Sequence, residues 1–242
     1  MANEDEIRSK LATCARILSM KGLIGLYGHV SAYDPDSGRV YITPGAGSDR
    51  ANVRPEELWV FTTAGEKLSG EGRLAAEWPI HTAIHAARPD AVAVAHLHAP
   101  FSTLFAIAKR EFRPVTITGA MCGFGDGLPL FEERGLVLTN EQGQRLAREL
   151  GSHKAILMLG HGSAVVGNSI EDLTHACLVL EDNAMKIYQA AALGEVCSFT
   201  PEECAAIYER RMLTGVSAAW EYFTRQESRW GRQPETSWHP LE

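Results

Sequence analysis

The sequence predicts an α/β protein with a layered, α+β-like architecture, in which a mixed and mainly antiparallel sheet is covered by helices. Two observations carry this prediction. Segments with apolar residues at helical spacing alternate with short strand-like runs along most of the 242 residues, which is typical of a sheet packed against helices. Two pairs of strand-like runs are joined by short turns, and a hairpin makes its two strands antiparallel.

The amino-terminal part of the chain contains one helix and both hairpins. The helix is expected over residues 4–21, where apolar residues recur at helical spacing. The first hairpin is expected over residues 28–48, with the turn D-P-D-S-G at residues 34–38. The second follows a strand-like run that begins at Trp59 and turns at residues 64–67. These hairpins account for the antiparallel part of the predicted sheet.

The rest of the chain alternates between helices and strands. Helices are expected at residues 77–87, 100–108, 141–150, 169–192 and 201–224. Strands are expected at residues 91–95, 115–118, 155–159 and 164–167, with an irregular glycine-rich segment at 119–135. Ser169 is the expected N-cap of the longest helix, because serine accepts a hydrogen bond from the first turn. We predict a single domain over residues 1–228 and a loose tail over residues 229–242, which contain two prolines.

The composition argues against several classes of partner. The formal net charge is −7 and the sequence lacks a Lys/Arg cluster, which argues against nucleic acid or an anionic membrane as a partner. The sequence contains no apolar run of membrane-spanning length, and its acidic start is unlike a secretory signal. The five cysteines form no C-x-x-C pair, so a disulfide framework or a thiolate zinc site is not expected. These features predict a cytoplasmic protein.

Three histidines predict a metal site. His96 and His98 follow the strand-like run 91–95, and side chains two residues apart on a strand point to the same face. His161 stands between two glycines after the strand-like run 155–159. Three neutral nitrogen ligands leave a divalent metal with its full charge and an open position, as catalytic sites require. Zinc suits these ligands best, with Mn, Co and Fe(II) as alternatives.

Glu77 is a candidate partner of these histidines. It stands at the start of a predicted helix, where the helix dipole also favours a solvent-exposed glutamate. Beside three histidines it becomes a candidate fourth ligand or general acid/base. His81 and His85 are four residues apart and share one face of the same helix. We expect structural or supporting roles for them rather than a second metal site.

Two glycine-bearing turns at strand ends form a candidate substrate site. They have the sequences G-H-V-S at residues 28–31 and T-P-G-A-G at residues 43–47. Backbone N–H groups in such turns can hold an anion, but ordinary hairpin geometry explains the glycines equally well. The candidate substrate-binding residues are His29, Ser31, Thr43 and Gly45.

These motifs, in this order, resemble the class II aldolase/adducin family. The matching elements are G-H-V-S, I-T-P-G, A-E-W-x-x-H, H-L-H and L-G-H-G, followed by a long helix containing L-E-D-N-A. The resemblance covers about residues 5–195. It implies a central, mainly antiparallel sheet between helix layers and a homotetramer with active sites at subunit interfaces. It also implies that His96, His98 and His161 bind the divalent metal and that Glu77 is the catalytic acid/base.

The sequence departs from the sugar-phosphate aldolases of this family, which carry G-N-x-S, T-P-S-G and S-S-E. Here His29 replaces the asparagine, Gly45 and Ala46 replace Ser-Gly, and Ala75 and Ala76 replace the two serines. Each hydrogen bond to a charged group contributes about 1.5–3 kcal/mol, so we expect weak binding of a phosphate. G-H-V-S is more similar to the decarboxylase branch of the family, which acts on hydroxylated aromatic or pyridine dicarboxylates.

The sequence therefore predicts a divalent-metal-dependent carbon–carbon lyase acting on a small carboxylate or hydroxy-carbonyl compound. We favour decarboxylation of a hydroxylated aromatic or heteroaromatic carboxylate through a metal-stabilised enolate or phenolate. The alternative is a class II aldolase that cleaves a small, unphosphorylated hydroxy-carbonyl substrate. A non-catalytic, adducin-like module is disfavoured because all three metal-ligating histidines are present.

Overall fold

The computed structural model describes residues 3–211 and 214–230 and contains one eight-stranded sheet with helices. The strands are β1 (His29–Asp34), β2 (Arg39–Ile42), β3 (Trp59–Thr62), β4 (Lys67–Ser69), β5 (Ala93–Leu97), β6 (Leu130–Phe131), β7 (Ala155–Met158) and β8 (Gly162–Gly167). The helices are α1 (Glu4–Met20), α2 (Trp78–Ala87), α3 (Ser102–Ala108), α4 (Ile117–Met121), α5 (Asn140–Leu150), α6 (Ile170–Ala191), α7 (Pro201–Glu209) and α8 (Thr214–Trp230). Within the described ranges, no helix combines the length and the apolar character needed to span a bilayer.

The sheet has the order β4-β3-β2-β1-β5-β8-β7-β6. All neighbouring strands are antiparallel except β6 and β7, which are parallel. The predicted mixed and mainly antiparallel sheet is therefore confirmed. β5 lies between β1 and β8, with His96 opposite His29 on one side and opposite Ala164 on the other. This register brings the G-H-V-S, H-L-H and L-G-H-G motifs together.

Helices cover both faces of the sheet, and alternation along β5 assigns each residue to a face. Ala95 and Leu97 belong to the larger apolar core, which contains residues of α1, α3 and α6. Val94 belongs to the smaller core, which contains residues of α2 and α5. Because side chains alternate across a strand, His96 and His98 continue the Val94 set. The pattern therefore directs both imidazoles to the face covered by α2.

Most predicted helices and strands are present close to their expected bounds. Both hairpins form, as β1–β2 and β3–β4. Ser169 caps α6 as predicted, since its Oγ accepts a hydrogen bond from the Asp172 amide at 3.1 Å. The segment 119–135, predicted to be irregular, also holds the end of α4 and the short strand β6.

The strand predicted at residues 115–118 is wrong. Thr116 instead caps the short helix α4, with its Oγ1 accepting from the Gly119 amide. Asn183 Oδ1, on α6, accepts from the amides of Val115 and Thr116, each at 3.2 Å. The β-branched run V-T-I-T favours a strand locally. The distant asparagine, however, satisfies backbone groups that a neighbouring strand would otherwise bind.

The carboxyl-terminal helix predicted over residues 201–224 is also corrected. The structure has two helices, α7 and α8, and α8 continues to Trp230. Arg16 on α1 fixes the end of α8, because its Nε donates to Glu227 Oε1 at 2.6 Å. Arg229 and Trp230, predicted to belong to a loose tail, are therefore helical. The remainder of that predicted tail, residues 231–242, lies outside the described residues.

Candidate metal centre

Glu77, His96, His98 and His161 form a group that could hold a metal ion, which we term the metal cluster. Each offers one ligand atom, and these four atoms all lie within 4.8 Å of one another. His96 Nε2 lies 3.0 Å from His98 Nε2 and 3.4 Å from Glu77 Oε2. His161 Nε2 lies 3.3 Å from the same carboxylate oxygen. Zinc–nitrogen bonds of about 2.0–2.1 Å place tetrahedral ligands about 3.4 Å apart, so the cluster fits a divalent cation.

A glycine brings His161 to the two histidines of β5. Gly162 begins β8 and immediately precedes Ser163, which lies opposite Leu97 at the end of β5. A Cβ atom at Gly162 would lie 2.0 Å from the Leu97 carbonyl oxygen. No side chain fits at that distance, so only glycine allows the two strands to approach this closely. The preceding residue, His161, is thereby held beside His98, with ring centroids 4.9 Å apart.

Hydrogen bonding and burial leave ring nitrogens of this cluster available to a metal. His96 Nδ1 donates to the Ser163 carbonyl at 3.1 Å, which leaves the lone pair on Nε2 for a metal. Both ring nitrogens of His161 are buried, and neither hydrogen-bonds to a described residue. Such unsatisfied groups cost stability, and a bound cation would relieve that cost. Burial, together with the charges of His96 and His161, lowers the pKa of His98 to about 4, so that ring is neutral at pH 7.

Glu77 immediately precedes α2 and is 6% exposed. Its Oε1 accepts from the Val137 amide at 2.8 Å, and its Oε2 faces the histidines. Burial raises the pKa of Glu77, but the imidazoles of His161 and His96 outweigh it and hold the pKa well below its ordinary value. The ionised carboxylate can serve as a metal ligand or as a proton acceptor.

Four buried side chains beside the metal cluster form what we term the histidine chain. His85 Nδ1 lies 2.7 Å from the Ala91 carbonyl and must donate to it, because a carbonyl only accepts. His85 Nε2 therefore accepts from the Ser31 hydroxyl at 2.8 Å. Ser31 Oγ in turn accepts from His81 Nδ1 at 2.6 Å. His81 Nε2 accepts from His29 Nδ1, also at 2.6 Å.

The histidine chain determines the chemistry of His29. Burial lowers the pKa of His29 and His81 well below the ordinary value and that of His85 to about 4, so all three rings are neutral. With its proton on Nδ1, His29 carries a lone pair on Nε2. His29 also lines the cavity next to the metal cluster. Its Nε2 is therefore a hydrogen-bond acceptor for a ligand.

That cavity has a volume of about 410 Å³, within the range of small-molecule sites. Its polar walls come from His29, Arg50, Glu77, His98 and His161. Its apolar walls include Tyr27, Ala46, Ala75, Ala76 and Leu136. Arg50 carries no signal in the sequence, because a single arginine in a loop is normally exposed. Here it is 3% exposed.

The other predicted substrate-binding residues lie behind the cavity walls. Ser31 belongs to the histidine chain and is fully buried. Thr43 Oγ1 accepts from the Val30 amide at 3.0 Å. Gly45 packs so closely that a Cβ atom would lie 2.1 Å from the Leu74 carbonyl oxygen. His29 alone of the four predicted residues is among those that line the cavity.

Several curated proteins are similar to this chain. Decarboxylase NovR of Streptomyces niveus is 33% identical over 150 residues, 61% of this chain, which spans only 55% of that protein's length. A 3,4-dihydroxyphthalate decarboxylase of Rhodococcus jostii is 28% identical over 206 residues, 79% of this chain and 84% of the relative. A 5-methylthioribulose-1-phosphate/5-deoxyribulose-1-phosphate aldolase of Rhodospirillum rubrum is 28% identical, covering 88% and 94% of the two chains. The relatives therefore include decarboxylases and aldolases.

A solved structure and a family profile extend the likeness to the fold. An aldolase II superfamily protein of Pseudomonas syringae superposes with a TM-score of 0.81 at 24% identity, over 95% of each chain. The profile of the Class II Aldolase and Adducin N-terminal domain matches residues 9–188. That match includes β1, the metal cluster and nearly all of α6. The chain therefore belongs to the class II aldolase and adducin family, as its motifs predict.

Proposed function

We propose that this protein is a divalent-metal-dependent carbon–carbon lyase that decarboxylates a hydroxylated aromatic or heteroaromatic carboxylate. The observation that carries the proposal is the convergence of four ligand atoms within 4.8 Å at the wall of a cavity. Relatives named as a decarboxylase and as a 3,4-dihydroxyphthalate decarboxylase support it. The apolar residues that line the same cavity suit a planar ring.

His96, His98 and His161 are the proposed metal ligands, with Glu77 as a fourth ligand or as the acid/base. A bound divalent cation would act as a Lewis acid toward negative charge that develops on a substrate oxygen. By ligand type we propose zinc, with Mn, Co and Fe(II) as alternatives.

Glu77 is the proposed proton carrier. Its ionised carboxylate takes the proton of a substrate hydroxyl as the ligand enters. When the carbon–carbon bond breaks, CO2 leaves and the bonding electron pair remains on the substrate. Glu77 then gives its proton to the carbon that lost CO2, and water restores the hydroxyl proton. The net reaction consumes one proton per CO2 released.

His29 is the proposed contact for a further polar group of the substrate. Its Nε2 can only accept a hydrogen bond, so it favours a hydroxyl or another donor and disfavours an anion. Ser31, Thr43 and Gly45 support the substrate site from behind: Ser31 orients the imidazoles, and the other two fix the adjoining backbone. This arrangement differs from a phosphate pocket, which needs several donors.

Aldol cleavage is the second candidate. The observation in its favour is the aldolase of Rhodospirillum rubrum, which matches more of this chain than either decarboxylase named above. Cleavage of a carbon–carbon bond next to a carbonyl could use the same metal cluster. Ala46, Ala75 and Ala76 offer no side-chain donors to a phosphate, so the substrate of such an aldolase would be unphosphorylated.

A homotetramer with active sites at subunit interfaces is also part of the proposal. The cavity is rimmed by Tyr27 and Leu136, which are 57% and 52% exposed. Large apolar side chains around a cavity are typical of a surface that another subunit covers. A mass near that of a single 26.4 kDa chain in light scattering would contradict this part of the proposal.

Product analysis tests the reaction. The purified protein, loaded in turn with Zn²⁺, Mn²⁺, Co²⁺ and Fe²⁺, is incubated with a panel of hydroxybenzoates and hydroxypyridine carboxylates, and CO2 is measured. A parallel panel of unphosphorylated hydroxy-carbonyl compounds is assayed for aldehyde. We expect metal-dependent CO2 release from at least one aromatic carboxylate. Aldehyde release without CO2 would favour the aldolase, and loss of metal dependence would contradict both candidates.

A further inference from the structure

Arg50 is a buried cation without a counter-ion. Its side chain is 3% exposed, and no carboxylate of the described residues lies within ion-pair distance. Nη1 donates to the Pro44 carbonyl and to Ser48 Oγ. Nε and Nη2 are buried and have no hydrogen-bond partner among the described residues. Leaving two donors of a buried charge unpaired costs stability, so the arrangement points to a partner from outside the chain.

The two unpaired atoms are geometrically matched to one kind of partner. Nε and Nη2 lie on the same edge of the guanidinium plane. Two parallel N–H bonds from one edge bind both oxygens of a carboxylate. Nη1 cannot compete for that role, because Pro44 and Ser48 already occupy it. The unpaired edge therefore has the geometry to bind one planar anion.

The loop that carries Arg50 is fixed in place. Ser48 Oγ donates to the Gly45 carbonyl at 2.8 Å, and the Gly45 amide donates to the Arg73 carbonyl at 2.7 Å. The neighbouring acid, Asp49, is already engaged, since it accepts from the amide of Ala51 and the side chain of Asn52. No residue of the loop therefore neutralises Arg50.

Arg50 shares the cavity with the metal cluster. It lines the same 410 Å³ space as His98, His161 and Glu77. Its charge also contributes, after burial and the neighbouring imidazoles, to lowering the pKa of His29. Burial lowers the pKa of Arg50 itself to about 10, so the guanidinium remains charged at neutral pH. A ligand in this cavity can meet both the metal cluster and a fixed positive charge.

We propose that Arg50 binds a carboxylate of the substrate that is not the one cleaved. This inference rests on the proposed function and deepens it, because it assigns to Arg50 the role of holding a second carboxylate of a dicarboxylate substrate. A phosphate also fits a guanidinium edge. The carboxylate is favoured because only two donors are free and Ala46, Ala75 and Ala76 add no side-chain donors.

Calorimetric titration of the zinc-loaded protein tests the proposal. The probes are 2-hydroxybenzoate and hydroxylated phthalate, isophthalate and terephthalate, which add a second carboxylate in different positions. We expect the wild type to bind at least one dicarboxylate about 10- to 100-fold more tightly than 2-hydroxybenzoate. Arg50→Met should remove this difference, because it weakens binding of the dicarboxylate by about 10- to 100-fold and that of 2-hydroxybenzoate less. Arg50→Lys, which keeps the charge but loses the planar edge, should retain only part of the preference for the dicarboxylate.

Three outcomes would overturn the proposal. They are a wild type with no preference for any dicarboxylate, an equal loss of affinity for both kinds of probe in Arg50→Met, and Arg50-dependent binding of inorganic phosphate tighter than that of the dicarboxylates. Circular dichroism checks folding, and Arg50→Lys decides the test if Arg50→Met does not fold. Failure of this proposal would leave the zinc content and CO2 release of the wild type intact. Failure of the proposed function would show instead as a wild type that releases no CO2 from any aromatic carboxylate, whether or not it binds zinc.

Discussion

Two groups of imidazoles lie on the same face of the sheet and differ in what satisfies their ring nitrogens. In the histidine chain, each contact joins a donor to an acceptor, and the Ala91 carbonyl fixes the direction of the whole series. In the metal cluster, nitrogens approach one another and a carboxylate, and His161 has no hydrogen bond to a described residue. The rings of His29 and His96 connect the two groups, with centroids 5.2 Å apart.

The sequence spacing of two histidines does not by itself separate a metal ligand from a structural histidine. His81 and His85 are four apart on a helix, a spacing as suitable for chelation as that of His96 and His98 on a strand. What differs is the partner supplied by a neighbouring element. Ser31 from β1 lies between the helical pair and satisfies both rings. The strand pair instead meets two further candidate ligands, Glu77 and His161.

The largest expected effect is the loss of metal from the metal cluster. We expect His98→Ala to reduce bound metal from stoichiometric to near background, because an open four-ligand site loses one of its three nitrogens. The free energy of unfolding of the metal-free variant should lie within about 1 kcal/mol of that of the metal-free wild type, since His98 is only half-buried. Elemental analysis and urea denaturation measure the two effects.

His153→Ala is the matched control for this experiment. His153 is also half-buried, but its Nδ1 donates to the Gly127 carbonyl at 3.3 Å, and it belongs to neither group of imidazoles. The His153→Ala variant should keep its metal. Added zinc should raise the melting temperature of this variant as it raises that of the wild type. Wild-type metal content in both His98→Ala and His96→Ala would refute the metal assignment.

A smaller effect is expected for Glu77→Gln. The amide oxygen can still accept from the Val137 amide, so we expect the fold and most of the metal to be retained. Turnover should fall by about 10²- to 10⁴-fold, because an amide cannot carry the proton. Glu71→Gln, at an exposed position, controls for the change in charge. Turnover within tenfold of the wild type would contradict the acid/base role.

The parts of the fold that follow local pattern were predictable. Alternation along β5 determines that His96 and His98 share a face, and turn chemistry determines both hairpins. The strand predicted at residues 115–118 failed because Asn183, far away in the sequence, binds that backbone. No local pattern contains this contact.

The residues of the candidate site were also predictable to different degrees, because some follow a local pattern and others depend on contacts between distant parts of the chain. The histidines of the metal cluster have a spacing that indicates a ligand. Glu77 became a candidate only in combination with the three histidines, because glutamates are common at helix starts. The burial of Arg50 and the contacts within the histidine chain were not predictable, since both depend on elements far apart in the chain. Unsatisfied buried donors are visible only once the tertiary structure is known.

The smallest expected effect concerns the histidine chain. There we expect stability to change and metal content to stay the same, the reverse of the effect in the metal cluster. Ser31→Ala leaves His81 Nδ1 and His85 Nε2 without their shared partner, and leaving buried polar groups unsatisfied costs about 1–3 kcal/mol. We expect the free energy of unfolding in urea, measured without metal, to fall by that amount. Metal content should not change, because Ser31 contacts no ligand of the metal cluster.

Ser9→Ala, at an exposed position of α1, is the control and should change stability by less than about 0.5 kcal/mol. In Ser31→Ala, nitrogen NMR should also show His29 in a mixture of tautomers, because the series that fixes its proton is broken. If Ser31→Ala lost metal, or had the same stability as Ser9→Ala, the two groups of imidazoles would not have separate roles. His98→Ala should lose the metal but keep the stability of the metal-free protein, whereas Ser31→Ala should keep the metal but lose stability. Only independent roles for the two groups of imidazoles predict this pattern.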